Sequence, residues 1–241
     1  MSNQLIHQID NKVFTTGKSV FTFYKSFPLP TLWLRADAGV VKDGDNKVSQ
    51  WQDQSGNELH AEQSTDVNKP IYDDINKKLL FSGSKFLILP ADARLNPINF
   101  CYFIVYSFGG GSTGCLISSL IPTWLGMQVT VFSQNTLFFK GDSSISSTSI
   151  TSNLHDGRDV LAVYNNNNPI AQGRISNTGQ TVVHNKNISY TAVVAPNIGK
   201  SNAGTANYLN GTISEILVYE NHLSDTQRES VEQYLMNKYA L

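Results

Sequence analysis

Six glutamates, Glu58, Glu62, Glu215, Glu220, Glu229 and Glu232, are the groups with which this chain could attempt to cleave a glycosidic bond. That reaction needs two carboxyl groups facing each other about 5–10 Å apart. Glu215 and Glu220 differ by an odd number of positions, so on a regular strand they point to opposite faces. Glu229 and Glu232 fall on the outer side of a C-terminal helical pattern. His155-Asp156-Gly157-Arg158-Asp159 is the densest polar cluster, and a histidine beside an orienting carboxylate is the minimum of a general base. No serine or cysteine nucleophile context accompanies it and strand-like runs flank it, so it reads as a solvated turn. The sequence predicts no catalytic residue.

Binding chemistry is better represented. A sugar ring needs an aromatic platform for its C–H face, with amide and hydroxyl partners nearby. Trp124, between Pro122-Thr123 and Gly126, has the setting of an exposed aromatic, and Tyr208 shares a loop with Asn202 and Asn207. These four residues are the candidate glycan contacts. Asp43, Asp45 and Asn46 could supply oxygen ligands to calcium, but they fall short of the six to eight ligands that the ion takes and read as a polar turn. Gly109 to Gly114 spells a G-x-G-x-x-G pattern, but a strand-like run follows it where a dinucleotide site needs a helix. Gly17-Lys18-Ser19 resembles the end of a phosphate loop, yet Lys12 stands where the first glycine belongs.

The elements that position these residues are mostly strands. The chain has 241 residues, a length that all-β sandwiches reach as one domain. Its net charge is -1, and only 15% of residues are charged against about 25% in an average soluble domain. Serine, threonine and asparagine supply 65 residues instead. Nucleic acid is excluded as an electrostatic partner, because no basic excess is present to neutralise phosphates. No apolar run reaches the roughly 18 residues of a membrane span, and the start shows no basic segment followed by an apolar run, so neither membrane insertion nor a signal peptide is expected. Cys101 and Cys115 form neither a metal set nor a disulfide framework and read as small buried hydrophobes.

Short apolar runs from Thr31 onward, separated by Gly, Asn, Asp, Ser and Pro, predict about a dozen strands in two packed sheets. The longest are Phe100–Phe108 and Gly211–Tyr219. One helix closes the chain. Ser224 is its N-cap, Gln227 completes a capping box, and Val231, Tyr234, Leu235 and Lys238 form the inward stripe. Arg228, Glu229, Glu232 and Asn237 are assigned to the opposite, solvated side. Residues 1–30 differ from the rest: two β-prone runs surround Gly17-Lys18, and Phe27-Pro28-Leu29-Pro30 makes a stiff extended break. They are expected to form an attachment arm ahead of a single domain over 31–241.

Particular stretches resemble a known family. Leu32-Trp33-Leu34-Arg35-Ala36-Asp37, Asp43-Gly44-Asp45, and Val48 to Gly56 (VSQWQDQSG) are similar to the opening of concanavalin A-like (laminin G-like) lectin/glucanase domains of bacterial and phage proteins. Lys69 to Tyr72 (KPIY) and Leu80 to Leu87 (LFSGSKFL) continue the pattern. Leu209 to Tyr219 (LNGTISEILVY), Leu223-Ser224-Asp225 and Tyr234 to Tyr239 (YLMNKY) end it. The resemblance implies an all-β, antiparallel jelly-roll sandwich that often binds glycans. The family's β-glucan-cleaving members carry an E-x-D-x-x-E strand, which is missing here. An adhesive fold without an export signal points to a virion. The expectation is a non-enzymatic, lectin-like surface module of a phage particle, on tail, baseplate or capsid. It would join other virion proteins through its arm, within a homo-oligomer or larger assembly, and contact a host-surface glycan. A structural decoration protein making only protein contacts is the alternative, and a hydrolase with an unfamiliar carboxylate pair is the third.

Overall fold

The computed structural model describes residues 27–97, 99–110, 113–119, 128–132, 136–140, 148–151, 159–165, 171–175, 180–184, 192–202 and 207–241. Strands come in the order β1 (Leu32–Arg35), β2 (Val40–Lys42), β3 (Val48–Trp51), β4 (Ala61–Glu62), β5 (Ile71–Asp73), β6 (Lys78–Phe81), β7 (Leu87–Ile88) and β8 (Phe100–Phe108). They continue with β9 (Thr113–Ser118), β10 (Gln128–Phe132), β11 (Thr136–Lys140), β12 (Thr148–Thr151), β13 (Asp159–Asn165), β14 (Ala171–Ile175), β15 (Gln180–His184), β16 (Asn197–Ile198) and β17 (Gly211–Tyr219). Helix α1 (Asp225–Tyr239) ends the chain.

All pairings are antiparallel and make two sheets. The eight-stranded sheet runs β15-β14-β13-β8-β17-β6-β5, with β1 also on β17; the nine-stranded sheet runs β12-β11-β10-β9-β16-β7-β4-β3-β2. The expected all-β sandwich with a C-terminal helix is therefore present. Alternation along each strand sends one face of both sheets into a shared core. Leu34, Trp51, Leu79, Phe81, Tyr102, Ile104, Ile117 and Ile216 meet there. Trp51 is fully buried, as its place before the Asp53-Ser55-Gly56 turn suggests. Asp53 holds that turn by accepting from the backbone N–H groups of Trp33 (2.9 Å), Ser55 (2.9 Å) and Leu59 (3.1 Å).

Strand β17 shares one edge between two partners, β6 at Gly211–Ile213 and β1 at Glu215–Val218. Between them Ser214 forms a bulge against β8. The extra residue resets the alternation: Ile213, Ile216 and Val218 face the inter-sheet core, while Leu217 and Tyr219 face α1. There Trp33, Phe103, Val105, Leu217, Val231 and Leu235 build a second core, on which Phe27 also packs. Cys101 and Cys115 are buried and free, and loss of hydration pushes the Cys101 thiol up to about 12.

Ser224 accepts from the Gln227 N–H and the Gln227 side chain returns the bond to the Ser224 N–H, so the capping box forms as the sequence indicates. The outer side of the helix needs correction. Arg228 and Glu232 are buried rather than solvated, Glu232 to 2% exposure, and join across one turn at 2.8 Å. The first turns of α1 sit low against the sheet, and the i, i+4 spacing lets the two charges neutralise each other inside.

Candidate functional site

Two polar assemblies stand out, one on the outer face of each sheet. The first lies under α1. Glu215, 0% exposed, accepts from Trp33 Nε1 (2.7 Å), Tyr234 Oη (3.0 Å), Tyr239 Oη (2.7 Å) and Lys238 Nζ (2.6 Å). Lys238 also meets Asp37 at 3.2 Å, and Arg35 grips Asp37 with two bonds of 2.8 Å. Burial and the adjoining carboxylate raise both tyrosine hydroxyls above their ordinary value, so they stay protonated donors. A carboxylate with four donors has no lone pair left for a substrate. This assembly is a latch between helix and sheet.

The latch carries a pH dependence. Burial alone would raise the Asp37 carboxyl, but the Arg35 hydrogen bonds and the Lys238 charge outweigh it and hold the group at about 2. A depressed folded-state value contributes stability that is complete above the unfolded value of 3.8 and is lost as pH falls toward 2. With partial exposure taken into account, the loss is about 1–2 kcal/mol. Urea unfolding between pH 5 and 2 measures it, and Asp37→Asn should flatten that part of the profile.

The second assembly occupies the outer face of the nine-stranded sheet, away from α1. Register lines up Val41, Gln50, Glu62, Ile88, Asn197, Ser118 and Gln128 across seven strands. The next positions, Trp51, Ala61, Leu87, Ile198, Ile117 and Val129, point inward to the core. Val41 and Ile88 are 42% and 41% exposed, so this part of the face is open. Amides line it. Gln50 Nε2 donates to Glu62 Oε1 (2.7 Å) and Gln52 Nε2 to Gln50 Oε1 (3.2 Å). Toward β10 a loop folds over the face, where Ser201 Oγ donates to Gln128 Oε1 (2.7 Å) and the Asn202 N–H to Ser118 Oγ (3.2 Å). Asn202 Nδ2 donates to the Ala195 carbonyl (2.9 Å), while its Oδ1 has no hydrogen-bond partner among the described residues.

That loop also sets an aromatic group. Gly199, at φ +84°, donates to the Leu116 carbonyl (3.0 Å) and accepts from Leu209 (2.9 Å), and a bridge pairs Lys200 with Tyr208. Lys200 Nζ thereby stands 4.5 Å from the ring centre of Phe86 and 5.6 Å from that of Tyr208, with the two rings 6.3 Å apart. Phe86 precedes Ile88 by two residues; unlike Ile88 it is buried, 8% exposed, so Tyr208 and the Lys200 ammonium cover its ring. Among the described residues Lys200 has neither a carboxylate partner nor a hydrogen-bond acceptor. Lys42, Lys47, Lys69, Lys77, Lys78 and Lys238 all pair with aspartate or glutamate.

Of the residues singled out from sequence, Asn202 and Tyr208 come to this face. Asn207 contributes its carbonyl, which accepts from the Ser201 N–H at 3.2 Å. Trp124, His155–Arg158 and Gly17-Lys18-Ser19 lie outside the described residues. Asp43 uses its carboxylate to cap the Asp45 (3.0 Å) and Lys47 (2.9 Å) N–H groups, so it serves the turn; no cluster among the described residues could hold a metal. Sequence reasoning missed Lys200 and Phe86. A signal was there: no Asp or Glu occurs between Asp159 and Glu215, a stretch that holds Arg174, Lys186 and Lys200.

No family model matches the sequence, and no curated protein matches it either. Solved structures do share its fold. The receptor-binding domain of botulinum neurotoxin type G superposes with a TM-score of 0.60 at 14% identity, covering 86% of this chain and 51% of that one. A Trypanosoma rangeli sialidase in complex with sialic acid gives 0.60 at 14%, covering 88% and 34%. A botulinum neurotoxin type C structure, described as entering cells through two ganglioside molecules, gives 0.57 at 14%, covering 86% and 51%. This chain thus spans about half or a third of the chains it resembles. At such identity the likeness establishes the β-sandwich fold. Among the described residues no helix is long and apolar enough to cross a membrane.

Proposed function

We propose that this chain is a non-enzymatic glycan-binding module that holds a saccharide on the outer face of its nine-stranded sheet, at the end formed by Phe86, Lys200 and Tyr208. The observation that carries the reading is the pairing of Tyr208 and Phe86 with an unspent cation beside amide-lined, open sheet surface. Ring C–H faces pack on aromatic carbon, and hydroxyls exchange hydrogen bonds with amides and ammonium. Fold neighbours in complex with sialic acid or dependent on gangliosides for cell entry support it, as does the resemblance to concanavalin A-like domains, whose kinship is part of the proposal. The finer reading is a module of a phage particle, attached through the arm of residues 1–30, within which the Phe27 ring packs on Trp33 and Tyr234.

A glycan array probed with the whole chain, followed by calorimetry on each hit, tests the reading. Tyr208→Ala should weaken binding about tenfold, the worth of roughly 1.4 kcal/mol of contact. Trp124→Ala measures in the same way whether the second aromatic candidate contributes. An array silent toward neutral and charged saccharides alike would overturn the proposal and favour a structural protein making protein contacts.

A further inference from the structure

We infer that the saccharide recognised at this end bears an anionic group that pairs with the Lys200 ammonium. The inference rests on the glycan-binding reading above and narrows it to acidic sugars. Lys200 carries three N–H donors, and none meets an acceptor among the described residues. Its positive charge is held instead against two ring faces, at 4.5 and 5.6 Å. Cation–π attraction fixes the position of an ammonium without consuming its hydrogen bonds. The result is a placed cation that can still donate.

The surroundings favour an anion from outside. Lys85, which precedes Phe86 in the sequence, spends its Nζ on the Lys69 carbonyl at 3.0 Å. The acid-free stretch from 160 to 214 supplies no carboxylate that could swing in from the same loop. Among the described residues six other lysines pair with aspartate or glutamate and Lys85 with a backbone carbonyl, whereas Lys200 meets neither kind of acceptor. Beside it the open amide and aliphatic surface, with Ile88 41% exposed, can take the uncharged remainder of the sugar.

The test compares lactose with two acidic derivatives, 3′-sialyllactose and 3′-sulfolactose, by calorimetry on the full chain. The expected result is that at least one derivative binds about tenfold or more tightly than lactose, since a charge-assisted hydrogen bond is worth that much. The carboxylate and sulfate arms tell which anion fits. Lys200→Met keeps the aliphatic stem on the rings and should abolish the acidic preference, bringing both derivatives to the affinity that the same variant shows for lactose. Lys200→Arg should retain most of it. If lactose binds as well as both derivatives, or if Lys200→Met keeps the preference, the inference fails and the glycan-binding reading stands. If no saccharide binds, both fall.

Discussion

Glu215→Ala is expected to destabilise the fold by about 3–5 kcal/mol, because it removes one partner of a buried ion pair and leaves the other charge behind. Lys238 loses its 2.6 Å contact, and the Trp33, Tyr234 and Tyr239 donors lose the carboxylate that accepts from them. Glu215→Gln should cost less, since an amide oxygen still accepts from two donors while the charge is gone. The decisive comparison is the double variant Glu215→Leu with Lys238→Met. Replacing both charges with apolar groups of similar volume should recover a large part of the loss. Urea midpoints of the three variants measure this. A double variant as unstable as the alanine single would show that packing, not the stranded charge, sets the cost. Because the latch lies under α1, on the far side of the sandwich from Lys200, saccharide affinity of the folded fraction should stay unchanged.

Much of this architecture is legible from residue patterns, and the exceptions have physical causes. Strands β1, β8 and β17 have the bounds that their apolar runs suggest, and the capping box locates the start of α1. Strands β2, β4 and β5 span two or three residues, too few for alternation to register against the turns around them. The Ser214 bulge has no signature in sequence, yet it decides that Glu215 faces the helix and not the inter-sheet core. Parity arguments hold only along an unbroken ladder. The site is split in the same way. Asn202 and Tyr208 share a loop and can be picked out together. Phe86 is more than a hundred positions away and joins them through the pairing of β7 with β16. Arg228 and Glu232 look solvated on a helical wheel because charge is read as exposure, whereas a pair one turn apart can be buried whole.

Gly199 connects the sandwich core to the proposed site, so Gly199→Ala is expected to impair both. The backbone there sits at φ +84°, a left-handed conformation that costs a residue with a Cβ about 1 kcal/mol. A Cβ would also come within 2.4 Å of Phe81 Cδ1 and 2.7 Å of its Cε1. Phe81 is buried in the inter-sheet core and has little room to yield. Overpacking of this kind adds about 1–3 kcal/mol, for a combined destabilisation of about 2–4 kcal/mol. Relief requires the loop to lift from the sheet edge, which moves the next residue, Lys200, off the Phe86 ring. Gly199→Ala should therefore weaken saccharide binding in the folded fraction, whereas Glu215→Gln should destabilise without touching affinity. Thermal unfolding and calorimetry on the two variants separate the cases. If Gly199→Ala binds as tightly as the parent chain, the loop does not position the cation and the geometry around Lys200 is not what selects the ligand.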